Sequence, residues 1–209
     1  MINCPYNNCC IKSFCDLSCS EYSEFMHWMN RCDLTVKNPC VCASLDEICL
    51  ANDLIQKSIE DTNNQNSNYM HISVYSGDKS QYMADLTAYL AICKYCRNIG
   101  FYNGVYKLNF AKYLDEIKKS WNSRYNSEHL EDMKIWIHSS RYLIIYNLGL
   151  VRFGDFESQT LLSIFQDRYI DDKYTILALD KGKFSLPGKL DSLFYLKLKQ
   201  ELVARGAKL

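Results

Sequence analysis

Two groups of residues in this chain carry chemistry beyond what a fold requires. The first is a cysteine cluster: of eleven cysteines, nine fall between Cys4 and Cys49, and only Cys93 and Cys96 lie further along. Disulfides rarely persist in a reducing compartment, and an odd total argues against complete pairing, so the cluster points to metal–thiolate bonding. Structural zinc takes four thiolate or imidazole ligands gathered by short loops. Cys4 with Cys9 or Cys10, and Cys15 with Cys19, supply two such pairs, with spacers of four or five residues and of three. Cys32, Cys40, Cys42, Cys49 and His27 offer substitutes or a second site. Free thiols packed as small apolar groups are the alternative. Zinc on Cys4, Cys9, Cys10, Cys15 and Cys19 is the expectation, because so short a segment has little core of its own to hold it together.

The second group is Lys79-Ser80, at the start of a helical pattern. A lysine followed by a hydroxyl residue closes the phosphate-binding sequence G-x-x-x-x-G-K-[ST], in which glycines let backbone N–H groups curl around phosphates. Here Ser73 and Asp78 stand at the two glycine positions, and the loop is expected to be shortened. Asp78 would set a carboxylate where triphosphate charge belongs. Taken alone, Lys79 and Ser80 read as a solvated first helical turn. Other candidates fall away on spacing. The C-x-x-C of Cys93 and Cys96 lies near the end of a helix, where the dipole disfavours thiolate, so core packing is expected there. His71, His129 and His138 pair with no nucleophile, and Glu131-Asp132 and Asp171-Asp172 read as solvated helix or turn positions.

The elements that must position these residues follow from periodicity. Residues 1–43 show few periodic apolar positions and are read as a cysteine-rich, partner-binding module; residues 44–209 are read as an α/β domain. Ser44 and Glu47 form an S-x-x-E capping box before a helix with Leu45, Ile48, Cys49, Ile55 and Ile59 at helical spacing. The stretch 61–68, rich in asparagine, ends that helix as a loop. Residues 70–76 predict a strand, and Met83, Leu86, Leu90 and Cys93 predict one apolar face on the helix that follows. A short strand from Val105 to Leu108 leads to a helix striped by Phe110, Leu114, Ile117 and Trp121, then to another helix from Glu128 to His138. Tyr142 to Tyr146 and Tyr174 to Leu179 are continuous apolar runs, as in strands buried on both faces, with a helix marked by Leu161, Leu162, Phe165 and Tyr169 between them. Alternating strands and helices imply a parallel sheet with right-handed crossovers.

Three stretches in order resemble the phosphate-loop, Walker-B and sensor-strand regions of DnaC/DnaI-type replicative-helicase loaders, especially phage versions. They are residues 70–80, residues 142–149, and Phe165-Gln-Asp-Arg-Tyr169 leading to residues 174–180. Those relatives also carry a cysteine-rich segment before the ATPase domain, which Cys15, Cys19 and Tyr22 followed by a short helix resemble. The resemblance implies an AAA+-like P-loop α/β fold behind a small cysteine-rich module. It also marks what is missing. The Walker-B acids that hold magnesium are replaced by Tyr146 and Asn147, Asp180 stands where a sensor asparagine is usual, and Arg205 is the one candidate for an arginine finger. The expectation is therefore a non-enzymatic protein with no nucleotide cofactor.

Lys+Arg and Asp+Glu balance at 24 each, so no global positive field drives nucleic-acid or membrane binding. Nucleic-acid contact is expected to be indirect or weak. Lys181, Lys183, Lys189, Lys197, Lys199, Arg205 and Lys208 make the C-terminal part locally basic, against a mildly acidic N-terminal part with Asp16, Glu21, Glu24, Asp33, Asp46 and Glu47. No apolar run is long enough to span a bilayer and no signal peptide is recognisable, which gives a cytoplasmic expectation in a bacterial host. The partner the resemblance implies is a nucleic-acid machine, by default the replicative DNA helicase. The alternatives are an inhibitor or adaptor for an unrelated host target such as a defence nuclease, and a residual ATPase.

Overall fold

The computed structural model describes residues 20–34, 39–60, 71–95, 104–122, 128–181 and 199–200. Four strands, β1 (Ile72–Gly77), β2 (Val105–Asn109), β3 (Tyr142–Tyr146) and β4 (Tyr174–Asp180), form one parallel sheet in the order β1-β4-β3-β2. Six helices among the described residues flank it: α1 (Ser20–Arg31), α2 (Leu45–Glu60), α3 (Ser80–Tyr95), α4 (Phe110–Ser120), α5 (Glu128–Ser139) and α6 (Asp155–Ile170). The expected α/β class and parallel sheet are both present. The Asn-rich stretch 61–68 and Met70 lie outside the described residues.

The order of strands decides which face each helix covers. From β1 the chain crosses the sheet to β2 at the far edge, then steps back through β3 to β4, and right-handed crossovers taken in opposite directions put their helices on opposite faces. Accordingly, α3 lies on one face and α4, α5 and α6 on the other. Strand side chains alternate between two apolar clusters: Tyr142, Ile144 and Tyr146 join the α3 side, and Leu143 and Ile145 join the α4–α6 side.

The predicted single stripe on α3 is too narrow. Met83 and Leu86 are buried, but so are Ala84, Thr87, Ala88, Tyr89, Ala91 and Ile92. A helix apolar all round must be covered all round, and α1 and α2 provide the cover on its outer side. In α1, Phe25, Trp28, Met29 and Cys32 recur at helical spacing and sink into the same cluster as α3 and the sheet. The few periodic positions seen in residues 1–43 thus include one complete apolar stripe. The boundary drawn after residue 43 falls between two helices that share one core.

The capping box of α2 forms as expected: the Ser44 N–H donates to Glu47 Oε2 at 3.0 Å and the Glu47 N–H to Ser44 Oγ at 3.2 Å. Its buried stripe is shifted from the expected one, with Ala51, Leu54 and Ile55 inside while Leu45 and Cys49 are exposed; the Ile59 side chain lies outside those described. On α4, Phe110 and Leu114 are buried and Ile117 packs against them. Trp121, at the helix end, is exposed with its edge on Phe156, 5.0 Å between centroids.

Candidate functional site

In open α/β sheets, ligands bind beyond the carboxyl ends of the strands, where neighbouring connections leave toward opposite faces. Here the ends of β1, β4 and β3 fit that description. The chain leaves β1 for α3 on one face and β3 for α6 on the other, with the end of β4 between them. The residues that gather there are Gly77, Asp78, Lys79, Ser80, Tyr146, Asn147 and Asp180, so the sequence-predicted positions do converge at one edge.

Strand β1 continues through Gly77 and α3 starts at Ser80, so the connection is two residues, Asp78 and Lys79. Ser73 does not lie in a loop. It sits inside β1, buried, with its hydroxyl donating to the Leu54 carbonyl at 2.7 Å, which ties α2 to the strand. A two-residue connection has too few N–H groups to wrap a phosphate as a longer glycine-rich loop does.

Lys79 is exposed and turned toward α2, where its ammonium lies 2.9 Å from Glu47 Oε1. Glu47 therefore serves twice, one oxygen capping α2 and the other pairing with Lys79. Hydrogen bonding from Lys79 holds the Glu47 carboxyl below its ordinary range, and Glu47 in turn raises the Lys79 ammonium. Ser80 departs from the solvated-turn reading. It is buried, and its hydroxyl donates to Asp180 Oδ1 at 2.6 Å, fastening the start of α3 to the end of β4.

At the end of β3, Tyr146 is buried with its ring toward the α3 side, and the Lys107 ammonium lies 5.3 Å from the ring centroid. Burial raises its phenol, with Lys107 opposing the shift. Asn147 adopts a left-handed conformation at φ 61°, which asparagine tolerates better than most residues, and leads into the 3-10 turn Leu148–Leu150. Asp180 is engaged by Ser80, and Asp78 stands exposed in the turn.

Of the metal candidates, Cys4, Cys9, Cys10, Cys15 and Cys19 lie outside the described residues, as do Cys96 and Arg205. Among the described residues, no three or more His, Cys, Asp or Glu side chains come together as a metal-holding group. Cys32 is a core thiol, fully buried and donating to the Val105 carbonyl at 3.5 Å, and burial pushes it up to about 12. Cys93 is half-buried near the end of α3, and burial raises it to about 11, in line with a packing role.

Three polar groups inside the molecule were not singled out in the sequence. Lys107, on the edge strand β2, is buried and paired with Asp85 of α3 at 2.6 Å. Arg31 is buried at the end of α1 between the rings of Trp28 and Trp136, 4.9 and 5.4 Å from their centroids, and donates to Ser139 and Ser140. Arg168, inside the Phe165-Gln-Asp-Arg-Tyr169 stretch, is fully buried. Its guanidinium donates to Thr175 Oγ1 and to the carbonyls of Ile137, Ser140, Arg141 and Tyr174, at 2.5 to 3.1 Å. Burial lowers it to about 9. It binds the end of α5, the start of β3 and the start of β4 together at the amino edge of the sheet, opposite the candidate site. His71 also lies at that edge, where its Nε2 meets Asp172 Oδ1 at 3.1 Å. The signal for the charged groups was a charge interrupting an apolar pattern, as at Lys107 in Val105-Tyr-Lys-Leu108 and Asp85 in Met83-Ala-Asp-Leu86.

No helix among the described residues is long and apolar enough to cross a membrane. No family model matches the chain, and no curated protein or solved structure is matched by it.

Proposed function

We propose that this chain is a non-catalytic, helicase-loader-like protein that works by holding a protein partner in a nucleic-acid machine, the replicative DNA helicase being the first candidate. The observation that carries the reading is the connection between β1 and α3. It is two residues long, its lysine is engaged by Glu47, and the serine after it is engaged by Asp180. Phosphoryl transfer needs a phosphate cradle, a metal held by hydroxyl and carboxylate, and a group that orients the attacking water. At this edge the cradle is too short, the hydroxyl is committed, and the end of β3 offers a phenol and an amide. Zinc on the cysteines before residue 20 remains part of the proposal, as a structural support for the partner-binding segment.

Affinity capture of the tagged full chain from a bacterial host, with the captured proteins identified by mass spectrometry, tests the reading. The helicase is expected to co-purify in an amount unaffected by Lys79→Ala. Capture of an unrelated complex such as a nuclease would replace the helicase with the adaptor or inhibitor reading, and dependence on both ATP and Lys79 would overturn the non-catalytic one.

A further inference from the structure

The two edges of the sheet are finished differently. Along β2, Val105, Tyr106, Lys107 and Leu108 are all buried, and the Val105 carbonyl accepts from the Cys32 thiol at 3.5 Å, so the end of α1 covers that edge. Along β1 only Ile72 and Ser73 are buried; Val74 and Tyr75 are half-buried and Ser76 is exposed. The Thr175 N–H donates to the His71 carbonyl at 2.8 Å and the Lys181 N–H to the Gly77 carbonyl at 3.2 Å. Odd-numbered residues of β1 therefore face β4, and the main-chain groups of Ile72, Val74 and Ser76 point away from it. Among the described residues those outward groups meet no backbone partner. Native edges are ordinarily blunted by a charge, a proline or a bulge. Ile72-Ser-Val-Tyr-Ser-Gly77 carries no charge and no proline, and it pairs with β4 in unbroken register.

We infer that β1 is a docking edge for a second copy of this chain, the two β1 strands pairing antiparallel across a twofold axis at Val74. A free edge takes an extended segment through main-chain hydrogen bonds. A copy of β1 meets that demand by symmetry, because the outward residues are spaced evenly about Val74. The twofold sets Val74 opposite its own counterpart and Ile72 opposite Ser76 of the copy, each pair exchanging both N–H···O bonds. The half-buried Val74 side chain gains a β-branched apolar neighbour across the axis. Charge does not oppose the meeting, since the strand is uncharged and the whole chain balances at 24 basic and 24 acidic residues. Both copies use the same edge, so the assembly stops at two. The pairing does not depend on which protein the chain captures.

Sedimentation equilibrium of the purified full chain tests it, over a range of concentrations and in reducing buffer so that cysteines do not link copies. The mass is expected to rise from 24.4 kDa toward twice that value. Hydrogen–deuterium exchange over residues 72–76 should slow at the higher concentrations. Val74→Pro and Ser76→Pro each remove an outward N–H and leave the bonds to β4 in place, so both should hold the protein at the monomer mass. Circular dichroism checks that each variant folds, and Ser76→Pro, at the exposed position, decides the matter where Val74→Pro does not. A monomer at every concentration would overturn the inference, as would a dimer that persists in a folded proline variant or leaves exchange over residues 72–76 unchanged. If those amides slow only when a captured protein is added, the edge belongs to an extended segment of that protein and the second copy is ruled out.

Discussion

A buried guanidinium with no carboxylate among its hydrogen-bond partners is tolerated only when its N–H groups are all spent. Arg168 meets that condition through four backbone carbonyls and the Thr175 hydroxyl. Replacing it with methionine keeps much of the volume and orphans those acceptors, a loss expected to cost on the order of 3–5 kcal/mol, read as a lowered urea midpoint. Lys79 is the opposite case, exposed, with its ammonium paired with Glu47 and lying over the Tyr82 ring at the surface, so Lys79→Ala is expected to leave the thermal midpoint and partner capture unchanged. The buried thiols set an alkaline limit. Burial raises Cys32 from 9.0 to about 12 and Cys93 from 9.0 to about 11, and raises Tyr106 and Tyr146 as well. The folded state therefore holds these protons more tightly than the unfolded state. Their stabilising contribution is complete below the unfolded thiol value and is lost as pH climbs through the folded ones. The urea midpoint should fall above pH 9.0, the ordinary thiol value, and Cys32→Ala should make that fall shallower.

Helix α1 is held through a close approach. Gly104, just before β2, lies flat against the Trp28 indole, and a Cβ there would run into the ring. Gly104→Ala should therefore destabilise the protein by about 1–3 kcal/mol, measurable by denaturant titration, because a fully buried ring has nowhere to move. Such pairings are invisible in one dimension, which explains what was legible at this scale. Residues 142–146 and 174–179 were readable as strands because a strand buried on both faces is apolar at every position. Ser44 and Glu47 announced the start of α2 because a capping box is local chemistry. The stripe Phe25, Trp28, Met29 and Cys32 was overshadowed by the cysteine cluster around it. The cover on α3 could not be read because it depends on two other helices. At the candidate site, the residue types at Lys79, Ser80, Tyr146 and Asn147 were readable in order, but their engagement was not: Glu47 and Asp180 are 32 and 100 residues from their partners.

Across the described residues, two apolar layers enclose one sheet, and α1 belongs to the layer built on α3. A fragment starting at residue 44 would strip Phe25, Trp28, Met29 and Cys32 from that layer and expose the outer side of α3. Its near-ultraviolet circular dichroism should weaken and its melting broaden; a sharp transition at the full-length temperature would instead mark residues 1–43 as an independent module. At the other end of the strands, Lys79 is paired with Glu47 and Ser80 with Asp180 around a two-residue connection, and the proposed role rests on that arrangement. Isothermal calorimetry of the full-length protein with ATP and magnesium addresses it most directly. The account predicts no saturable heat; saturable binding that disappears in Lys79→Ala would contradict it.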